Sequence, residues 1–246
     1  MDSRYVADME MTIPVPDGTI GGYLAEPAGE GPHPGVVLIH DAFGLSQDTK
    51  NITDRFAAEG YLALSPDLYA RGGFRRCVRR VFSDMFANQG RTFDDIEASR
   101  SLLAAREDCS GRIGIAGFCM GGGFALVAAS RGFEASAPYY GQLPKNLSVL
   151  DDACPIVASF GKKDFSLRGA AAKLETALTE REIPHDVKEY AGASHGFANK
   201  IEVAAPLNLL LKVIGFTYHH EASEDAWRRV TSFFGEHLQQ PARPSH

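Results

Sequence analysis

The sequence predicts an α/β protein in which helices cover both faces of a mostly parallel β-sheet. Short apolar runs alternate along the chain with longer amphipathic stretches, which is the order of elements typical of that class. The run GVVLIH at 35–40 is continuous and apolar up to its last residue, as expected of a strand buried on both faces. Hydrophobic residues make up 44% of the 246 residues, enough for a substantial core, and no linker or repeat divides them. We therefore expect one domain over residues 1–246.

The individual elements follow from turn, capping and periodicity signals. Two short β-like runs within residues 9–27 flank a Pro-Asp-Gly turn and predict an antiparallel hairpin at a sheet edge. A helix is predicted at 48–60, where Gly60 can end it, and another at 92–108, where Thr92 is a plausible N-cap. The other predicted elements are strands at 35–40, 61–69, 112–118, 135–141, 155–161 and 185–191, and helices at 121–130, 169–181 and 224–238.

Composition and charge argue against several classes of function. The net charge of −6 disfavours a nucleic-acid partner, which would select a basic face. The longest apolar-looking run, 206–216, is interrupted by Asn208 and Lys212 and is too short to cross a bilayer. The first residues lack the apolar segment of a secretory signal. The cysteines form no CxxC pair, which fits a reducing compartment and gives no zinc site. We expect a cytoplasmic protein with no membrane partner and no metal.

Side chains able to do chemistry follow several of the predicted strands. His40 and Asp41 come at the end of the first buried run, and Cys119, Asp164 and His195 each follow a later one. Because ligands of α/β sheets bind beyond the carboxyl ends of the strands, these residues are expected to lie at one edge of the sheet. That edge is the predicted functional site.

Cys119 lies in the pattern Gly-Phe-Cys-Met-Gly, a nucleophile elbow with cysteine in the usual serine position. The glycines allow a strained strand-to-helix turn and the close approach of neighbouring chains. The helix that begins there directs its N–H groups and positive dipole end at the thiol, which favours the thiolate. The structural alternative is a glycine-rich turn with a buried, inert thiol.

The order of three residues along the chain favours the catalytic interpretation. Cys119, Asp164 and His195 follow one another as nucleophile, acid and base, the order of α/β-hydrolase triads. His195 can take the thiol proton, and Asp164 can hold the imidazole in the required tautomer and support the imidazolium. An aspartate in GKKD or a histidine in ASHGF, taken alone, would more often be structural.

Several stretches together resemble the dienelactone hydrolase family, a cysteine-using branch of the α/β-hydrolase fold. They are VVLIHDAFGL, LSPDLYAR, RIGIAGFCMGG, YYG, GKKD and AGASHGFAN, followed by EDAWRRVTSFF, and they span about 35–235. The resemblance implies a carboxylic ester or lactone hydrolase for small molecules, without a metal or organic cofactor. Its nucleophile would be Cys119, its acid Asp164 and its base His195. It also implies an acyl-thioester intermediate and an oxyanion hole formed by the backbone N–H groups of Met120 and Ala42.

The sequence departs from the family pattern at the residues thought to tune the thiol and bind the substrate. Asp41 stands where well-known members have a glutamate that controls the resting thiol, and its side chain is one methylene shorter. The alternative is that Asp41 only caps its loop. Asn199 stands where those members have an arginine for the substrate carboxylate, and Gly196 stands where they have serine. Whether the dienelactone itself is accepted stays open.

Other residues are candidates for substrate contact, each with a structural alternative. Five arginines crowd residues 71–80, and Arg79 or Arg80 would bind a substrate carboxylate; a solvated helix face is the alternative. Tyr139 and its neighbour Tyr140 would line the pocket or simply pack.

Three further questions stay open on the sequence alone. The segment 200–220 would form a lid, line the acyl pocket, make a dimer contact or extend the core, and the protein would be a monomer or a homodimer. The tail 239–246 is expected to fray. Hydrolysis of thioesters, non-catalytic binding of a small molecule, and thiol redox sensing are the alternatives to ester hydrolysis.

Overall fold

The framework of the protein is an eight-stranded sheet. The computed structural model describes residues 5–200 and 216–239. The strands are β1 (Tyr5–Val15), β2 (Gly18–Pro27), β3 (His33–Ile39), β4 (Leu62–Pro66), β5 (Cys109–Phe118), β6 (Ala135–Tyr139), β7 (Ile156–Gly161) and β8 (His185–Tyr190). Their spatial order is β1-β2-β4-β3-β5-β6-β7-β8. The pairs β1–β2 and β2–β4 are antiparallel, and all the other pairs are parallel. The predicted sheet with its N-terminal hairpin is confirmed.

Helices follow most of the parallel strands. They are α1 (Gln47–Ala58), α2 (Phe74–Ala87), α3 (Arg91–Ala104), α4 (Met120–Ala128), α5 (Ala170–Glu180) and α6 (His220–Leu238), with 3₁₀ turns at Leu147–Leu150 and Phe165–Leu167. Among the residues that the structure describes, no helix is long and apolar enough to cross a membrane.

Burial of β3 on both faces explains its continuous apolar run. Val36 and Leu38 belong to one apolar cluster, together with residues of α1 and α6. Val37 and Ile39 belong to the other cluster, together with residues of α2 and α3. Because successive side chains of a strand point to opposite faces, both sides of the sheet are covered. This rigid central strand positions the loop that follows it.

Two local predictions were wrong, because tertiary contacts override local signals there. The strand predicted at 61–69 ends at Pro66, since the N–H of Asp67 bonds to the Gly21 carbonyl and the chain leaves the sheet. Thr92 is not the N-cap of α3, which begins at Arg91 after Gly90. A carboxylate eight residues earlier, on α2, accepts the N–H and hydroxyl of Thr92 instead. Helix α2, whose bounds the sequence analysis did not predict, carries four of the five crowded arginines.

The predictions for the 200–220 segment and for the tail concern residues that are mostly not described. Residues 201–215 and 240–246 lie outside the described part of the chain. Of the segment, Phe216 contacts the site, as described below, and His219 precedes α6 and accepts the N–H of Ala222.

Candidate active site

Cys119 lies at the sharp turn between β5 and α4. Its backbone angles are φ 54° and ψ −115°, a strained conformation for a residue with a side chain. Two glycines permit the turn. A Cβ atom on Gly117 would lie 2.1 Å from the Gly121 carbonyl oxygen, and one on Gly121 would lie 2.2 Å from the Ile39 carbonyl oxygen. Close backbone packing therefore requires the glycines of the motif and holds Cys119 at the start of α4.

Cys119, His195 and Asp164 form one hydrogen-bonded row. Nε2 of His195 lies 3.1 Å from Sγ of Cys119, and its Nδ1 lies 2.5 Å from Oδ2 of Asp164. The three residues follow β5, β8 and β7, whose carboxyl ends meet at one edge because the strands are parallel neighbours through β6. The structure thus brings together the three side chains that the sequence analysis singled out.

The row shifts the pKa values of its histidine and its aspartate in opposite directions. Burial alone would lower the pKa of His195, but hydrogen bonds to Asp164 and Cys119 outweigh burial and raise that pKa to about 9. Burial alone would raise the pKa of Asp164, but hydrogen bonds from His195 and Ser166 lower it. An imidazole with this pKa carries a proton at neutral pH.

Ser166 fixes the carboxylate of Asp164. Oδ1 of Asp164 accepts the Ser166 N–H at 2.9 Å and the Ser166 hydroxyl at 2.6 Å, which leaves Oδ2 for the histidine. Asp164 caps the 3₁₀ turn that begins at Phe165, so the local sequence Asp-Phe-Ser itself sets the orientation of the acid. The acid is only 4% exposed and is held from both sides.

Two aromatic rings contact the imidazole of His195. The ring of Tyr140 lies 5.2 Å away and that of Phe216 lies 4.7 Å away, centroid to centroid. Gly196, with φ of 72°, makes room for the second ring, since a Cβ there would lie 3.0 Å from Phe216 Cδ1. The family departure at position 196 therefore has a local steric reason.

Tyr140 continues into a second hydrogen-bonded chain. Its hydroxyl donates to Oδ1 of Asn199 at 2.5 Å, and Nδ2 of Asn199 donates to Oδ2 of Asp48, on α1, at 2.8 Å. Tyr140 and Asn199 are both buried. The position for which the resemblance implies an arginine thus holds an amide with both ends engaged.

The loop after β3 contains a histidine that ties two loops together. Nε2 of His40 accepts the N–H of Leu68 at 3.1 Å, so its Nδ1 must donate to the Asp41 carbonyl oxygen at 2.7 Å. Burial lowers the pKa of His40 and keeps it neutral. His40 therefore joins the loop after β3 to the loop after β4 and is a structural residue.

Asp41 is a buried carboxyl group on the same loop. Its Oδ1 accepts the N–H of Phe43 at 2.8 Å. Burial raises the pKa of Asp41 to about 6; the Phe43 hydrogen bond opposes this shift, the nearby Asp48 adds to it, and the charge of His195 opposes it. Asp41 therefore changes its charge near neutral pH while it interacts electrostatically with His195.

Ala42 and Met120, the two residues expected to form an oxyanion hole, contact the same hydroxyl group. Tyr69 donates to the Ala42 carbonyl oxygen at 3.2 Å, and its oxygen lies 3.7 Å from Sδ of Met120. Met120 is the first residue of α4, so its N–H has no acceptor within the helix. The arrangement leaves that N–H available at the start of α4.

The other candidates for substrate contact, Arg79, Arg80 and Tyr139, gain no support from their surroundings. Arg79 is exposed, and Arg80 lies on the same helix with its Nε 3.2 Å from Oδ1 of Asp84. Tyr139 is 1% exposed, and its ring stacks on Phe118 with a centroid distance of 4.4 Å. Their assignment to substrate binding stays a prediction.

Sequence reasoning missed four residues of the site. Ser166 had a local signal, since a hydroxyl two residues after an aspartate often closes a turn. Tyr69 lies within the stretch LSPDLYAR, but nothing in that stretch indicated a role for its hydroxyl group. Asp48 and Phe216 had no local signal, because they reach the site through contacts that are distant in sequence.

The remaining cysteines differ from Cys119 in their surroundings. All four cysteines are free thiols. Burial raises the pKa of Cys154 to about 12 and also raises that of Cys109. Cys77 is half-buried, and its Sγ lies 3.5 Å from the Tyr69 carbonyl oxygen. Of the four thiols, only that of Cys119 has an imidazole hydrogen-bonded to it in the described part of the chain.

The chain is similar to known proteins over most of its length. The family model described as "Dienelactone hydrolase family" matches residues 20–238. A candidate carboxymethylenebutenolidase of Synechocystis sp. is 29% identical over 93% of this chain and 96% of its own length. A protein of Aquifex pyrophilus named "Protein usf" is 30% identical over 89% of this chain and 94% of its own length.

Solved structures support the same family. A structure described as a candidate dienelactone hydrolase from Klebsiella pneumoniae has a TM-score of 0.78 and 25% identity, covering 94% of this chain and 98% of its own. An acylaminoacyl peptidase of lower identity, 14%, matches with a TM-score of 0.71 over 43% of its length, a likeness of fold alone. The chain belongs to the dienelactone hydrolase family, a family of hydrolases with the α/β-hydrolase fold.

Proposed function

We propose that this protein hydrolyses small carboxylic esters or lactones through an acyl-thioester on Cys119. The observation that carries the proposal is the row in which His195 lies 3.1 Å from the thiol and 2.5 Å from Asp164. A nucleophile, a base and a group that orients the base, in that order, are what acyl transfer requires.

Each residue has a defined part in the first half of the reaction. The Cys119 thiolate attacks the carbonyl carbon, and the negative oxygen that develops is stabilised by the N–H groups of Met120 and Ala42. The His195 imidazolium then gives its proton to the departing alkoxide as the carbon–oxygen bond breaks. Asp164 holds the imidazole with Nε2 towards the sulfur throughout.

Water completes the reaction. His195, now neutral, removes a proton from water, and the hydroxide attacks the thioester carbonyl while the carbon–sulfur bond breaks. The carboxylic acid leaves, and the thiolate and imidazolium are restored. The overall change is addition of water across the ester bond, and no step needs a metal or a cofactor.

Asp41 is proposed to tune the resting thiol. A negative charge on Asp41 stabilises the imidazolium of His195 electrostatically and so favours the thiolate paired with it. Burial raises the pKa of Asp41 to about 6, so this support is present at neutral pH and is lost in acid.

The redox-sensor alternative finds less support in the residues. A sensor thiol works best beside a resolving thiolate, but burial raises the pKa of Cys154 to about 12 and leaves it protonated at neutral pH. Pure binding of a small molecule would not require the hydrogen-bonded row.

Rapid-mixing kinetics with 4-nitrophenyl acetate test the proposal. We expect a burst of 4-nitrophenolate, about one equivalent per protein, followed by slower turnover. Cys119→Ala should abolish both phases, whereas the control Cys77→Ala, which removes another incompletely buried thiol, should keep both. Slow release at the same rate in wild type and Cys119→Ala would overturn the nucleophile and favour the binder or sensor.

A further inference from the structure

The charges around Cys119 indicate a substrate class, an inference that rests on the proposed function. We propose that the site selects uncharged substrates with an apolar group and discriminates against substrates that carry a carboxylate. Asp41, Asp48 and Asn199 are the residues that set this selectivity.

The first observation is a group of carboxylates on the histidine side of the thiol. Asp41 is buried in the loop after β3 and interacts electrostatically with both Asp48 and His195. Asp48 reaches the same place through Asn199 and Tyr140, whose ring packs on the imidazole. A substrate carboxylate near the thiol would therefore approach two groups of its own charge, and the His195 imidazolium, which already pairs with Asp164 and with Cys119, is the one cation of the row that opposes them.

The hydroxyl group of Tyr140 interacts electrostatically with both carboxylates and with Cys119. Burial raises the pKa of this hydroxyl most, and Asp41, Cys119 and Asp48 each raise it further. All three therefore act on the same buried hydroxyl beside His195. These three groups act on the hydroxyl with the same sign, and burial excludes the water that would screen them.

The second observation is that, within the described residues 5–200 and 216–239, one arginine and one amide near the site are engaged by other groups. Arg71, which follows β4, makes a two-point ion pair with the buried Asp95. Asn199 presents its carbonyl oxygen to Tyr140 and its amide hydrogens to Asp48, so it offers no positive charge to a ligand.

Exposed cations near the rim are screened by solvent. The ammonium of Lys200 lies over the ring of Tyr218 at 5.0 Å, and the guanidinium of Arg168 lies 5.6 Å from the ring of Phe165. Lys200 and Arg168 are both exposed, so water and salt weaken their effect on a ligand at the thiol.

The third observation is a set of exposed phenylalanines, two on loops that carry the site and one at the start of α2. Phe43 is 40% exposed and bonds through its N–H to Asp41; Phe165 is 83% exposed and directly follows Asp164. Phe74, 52% exposed, packs on Tyr69. Binding sites for small molecules combine apolar walls with few polar groups, so these rings suit an apolar ester substituent.

Alkylation of Cys119 by two reagents of nearly equal size tests the selectivity. Iodoacetamide is neutral and iodoacetate is anionic; with each, the thiolate forms a C–S bond as the C–I bond breaks and iodide leaves. The ratio of the two rates cancels the thiolate fraction, because both reagents use the same thiolate. Peptide mass mapping assigns the reaction to Cys119, with Cys119→Ala as the blank.

We expect the iodoacetamide-to-iodoacetate ratio at Cys119 to exceed that of free cysteine by about tenfold at pH 8. Asp48→Asn keeps an acceptor for Asn199 and should lower this excess about threefold. Asp151→Asn removes the same charge from an exposed pair with Arg181 and should leave it unchanged.

The excess should also fall as the pH is lowered from 8 to 5.5. Burial raises the pKa of Asp41 to about 6, so Asp41 loses its charge over this interval. The groups that act on Asp41 are Asp48 of α1, His195 of the loop after β8, and the N–H of Phe43. The buried Tyr69 also interacts with it and stays neutral throughout, since burial raises its pKa.

Ester turnover separates failure of this inference from failure of the proposed function. The matched substrates are the methyl 4-nitrophenyl and the mono(4-nitrophenyl) esters of terephthalic acid, which differ in one charge and whose rigid ring keeps the carboxylate from attacking its own ester. Equal kcat/KM values and an alkylation ratio equal to that of free cysteine, with a Cys119 acyl adduct present, would overturn the selectivity alone. A raised alkylation ratio without turnover of either ester would overturn the hydrolase and support the charged site.

Discussion

Two buried aspartates act on the same histidine from opposite loops, and their pKa values shift in opposite directions. Asp164, after β7, is 4% exposed, and Asp41, after β3, is 5% exposed. Asp164 accepts hydrogen bonds from His195 and from two groups of Ser166, which lower its pKa. Asp41 accepts one backbone N–H and lies near Asp48, so burial dominates and raises its pKa to about 6.

The difference shows that enough hydrogen-bond donors outweigh burial at Asp164, whereas a single backbone donor does not at Asp41. Asp164 stays ionised across the neutral range and can serve as a permanent partner of the imidazolium. Ionisation of Asp41 in the folded protein lowers the free energy of unfolding, and protonation of Asp41 removes this cost. Two residues with the same side chain and nearly equal solvent exposure are thus suited to different tasks.

The largest expected effect is a difference in catalytic activity between variants of the two aspartates. Asp164→Asn should lower kcat for 4-nitrophenyl acetate by about 10⁴-fold, because the amide stabilises the wrong tautomer of His195. Asp41→Asn should lose far less, since Asp41 acts on His195 only through its charge. Steady-state kinetics at pH 8 measure both, and equal losses would break the distinction between the two loops.

The next effect is a shift of the alkaline limb of the pH profile. Asp164 and Cys119 together raise the pKa of His195 to about 9, so kcat/KM for an alkyl ester should fall as the pH rises through about 9, because the departing alkoxide then loses its proton donor. In Asp164→Asn the limb should move towards the ordinary histidine pKa of about 6.5. A limb at the same pH in both proteins would show that Asp164 does not set this pKa.

A third expected effect is on the free energy of unfolding, which the raised pKa of Asp41 should lower as the pH rises. The pKa of Asp41 rises from 3.8 to about 6 on folding, so ionisation opposes folding increasingly as the pH rises through this interval. The penalty is about 0.5 kcal/mol at pH 4 and is complete above pH 7. Asp41→Asn should therefore raise the free energy of unfolding by about 3 kcal/mol at pH 8 and by only about 0.5 kcal/mol at pH 4.

Chemical denaturation at the two pH values measures this difference. Asp186→Asn is the control, because Asp186 is an exposed partner of Arg229. An equal change for Asp41→Asn at pH 4 and pH 8 would contradict a penalty that depends on ionisation.

The smallest expected effect comes from removing one of the hydrogen bonds that Asp164 accepts. Ser166→Ala removes the hydroxyl donor from Asp164 but keeps the backbone N–H at 2.9 Å. The loss of one such bond should reduce kcat/KM by up to about tenfold. It should also move the alkaline limb less than Asp164→Asn does. A reduction as large as that of Asp164→Asn would mean that the hydroxyl, and not the histidine partner, fixes the acid.

What the sequence allowed us to predict was local or periodic. The nucleophile elbow at Cys119 was readable because close packing demands glycines at fixed positions around it. The order of strands and helices followed from apolar periodicity, and the hairpin from its turn residues. The placement of Asp164 and His195 after parallel strands then followed from the fold class.

What the sequence did not allow us to predict depends on pairs of residues far apart along the chain. The Asn199–Asp48 bond joins positions separated by 151 residues, and no local pattern signals it. The cap of α3 comes from Asp84 rather than Thr92, because a carboxylate on the preceding helix is better placed. The arginine run gave no sign that Arg71 would be paired with Asp95.

The most direct test of the central claim is mass spectrometry of the acyl-enzyme. Wild-type protein quenched in acid within the burst of 4-nitrophenyl acetate hydrolysis should carry one acetyl group, and peptide mapping should place it on Cys119. The group should decay at the turnover rate and should be absent from Cys119→Ala. An acetyl group on another residue, or turnover by Cys119→Ala at the wild-type rate, would contradict thiol catalysis by Cys119, His195 and Asp164.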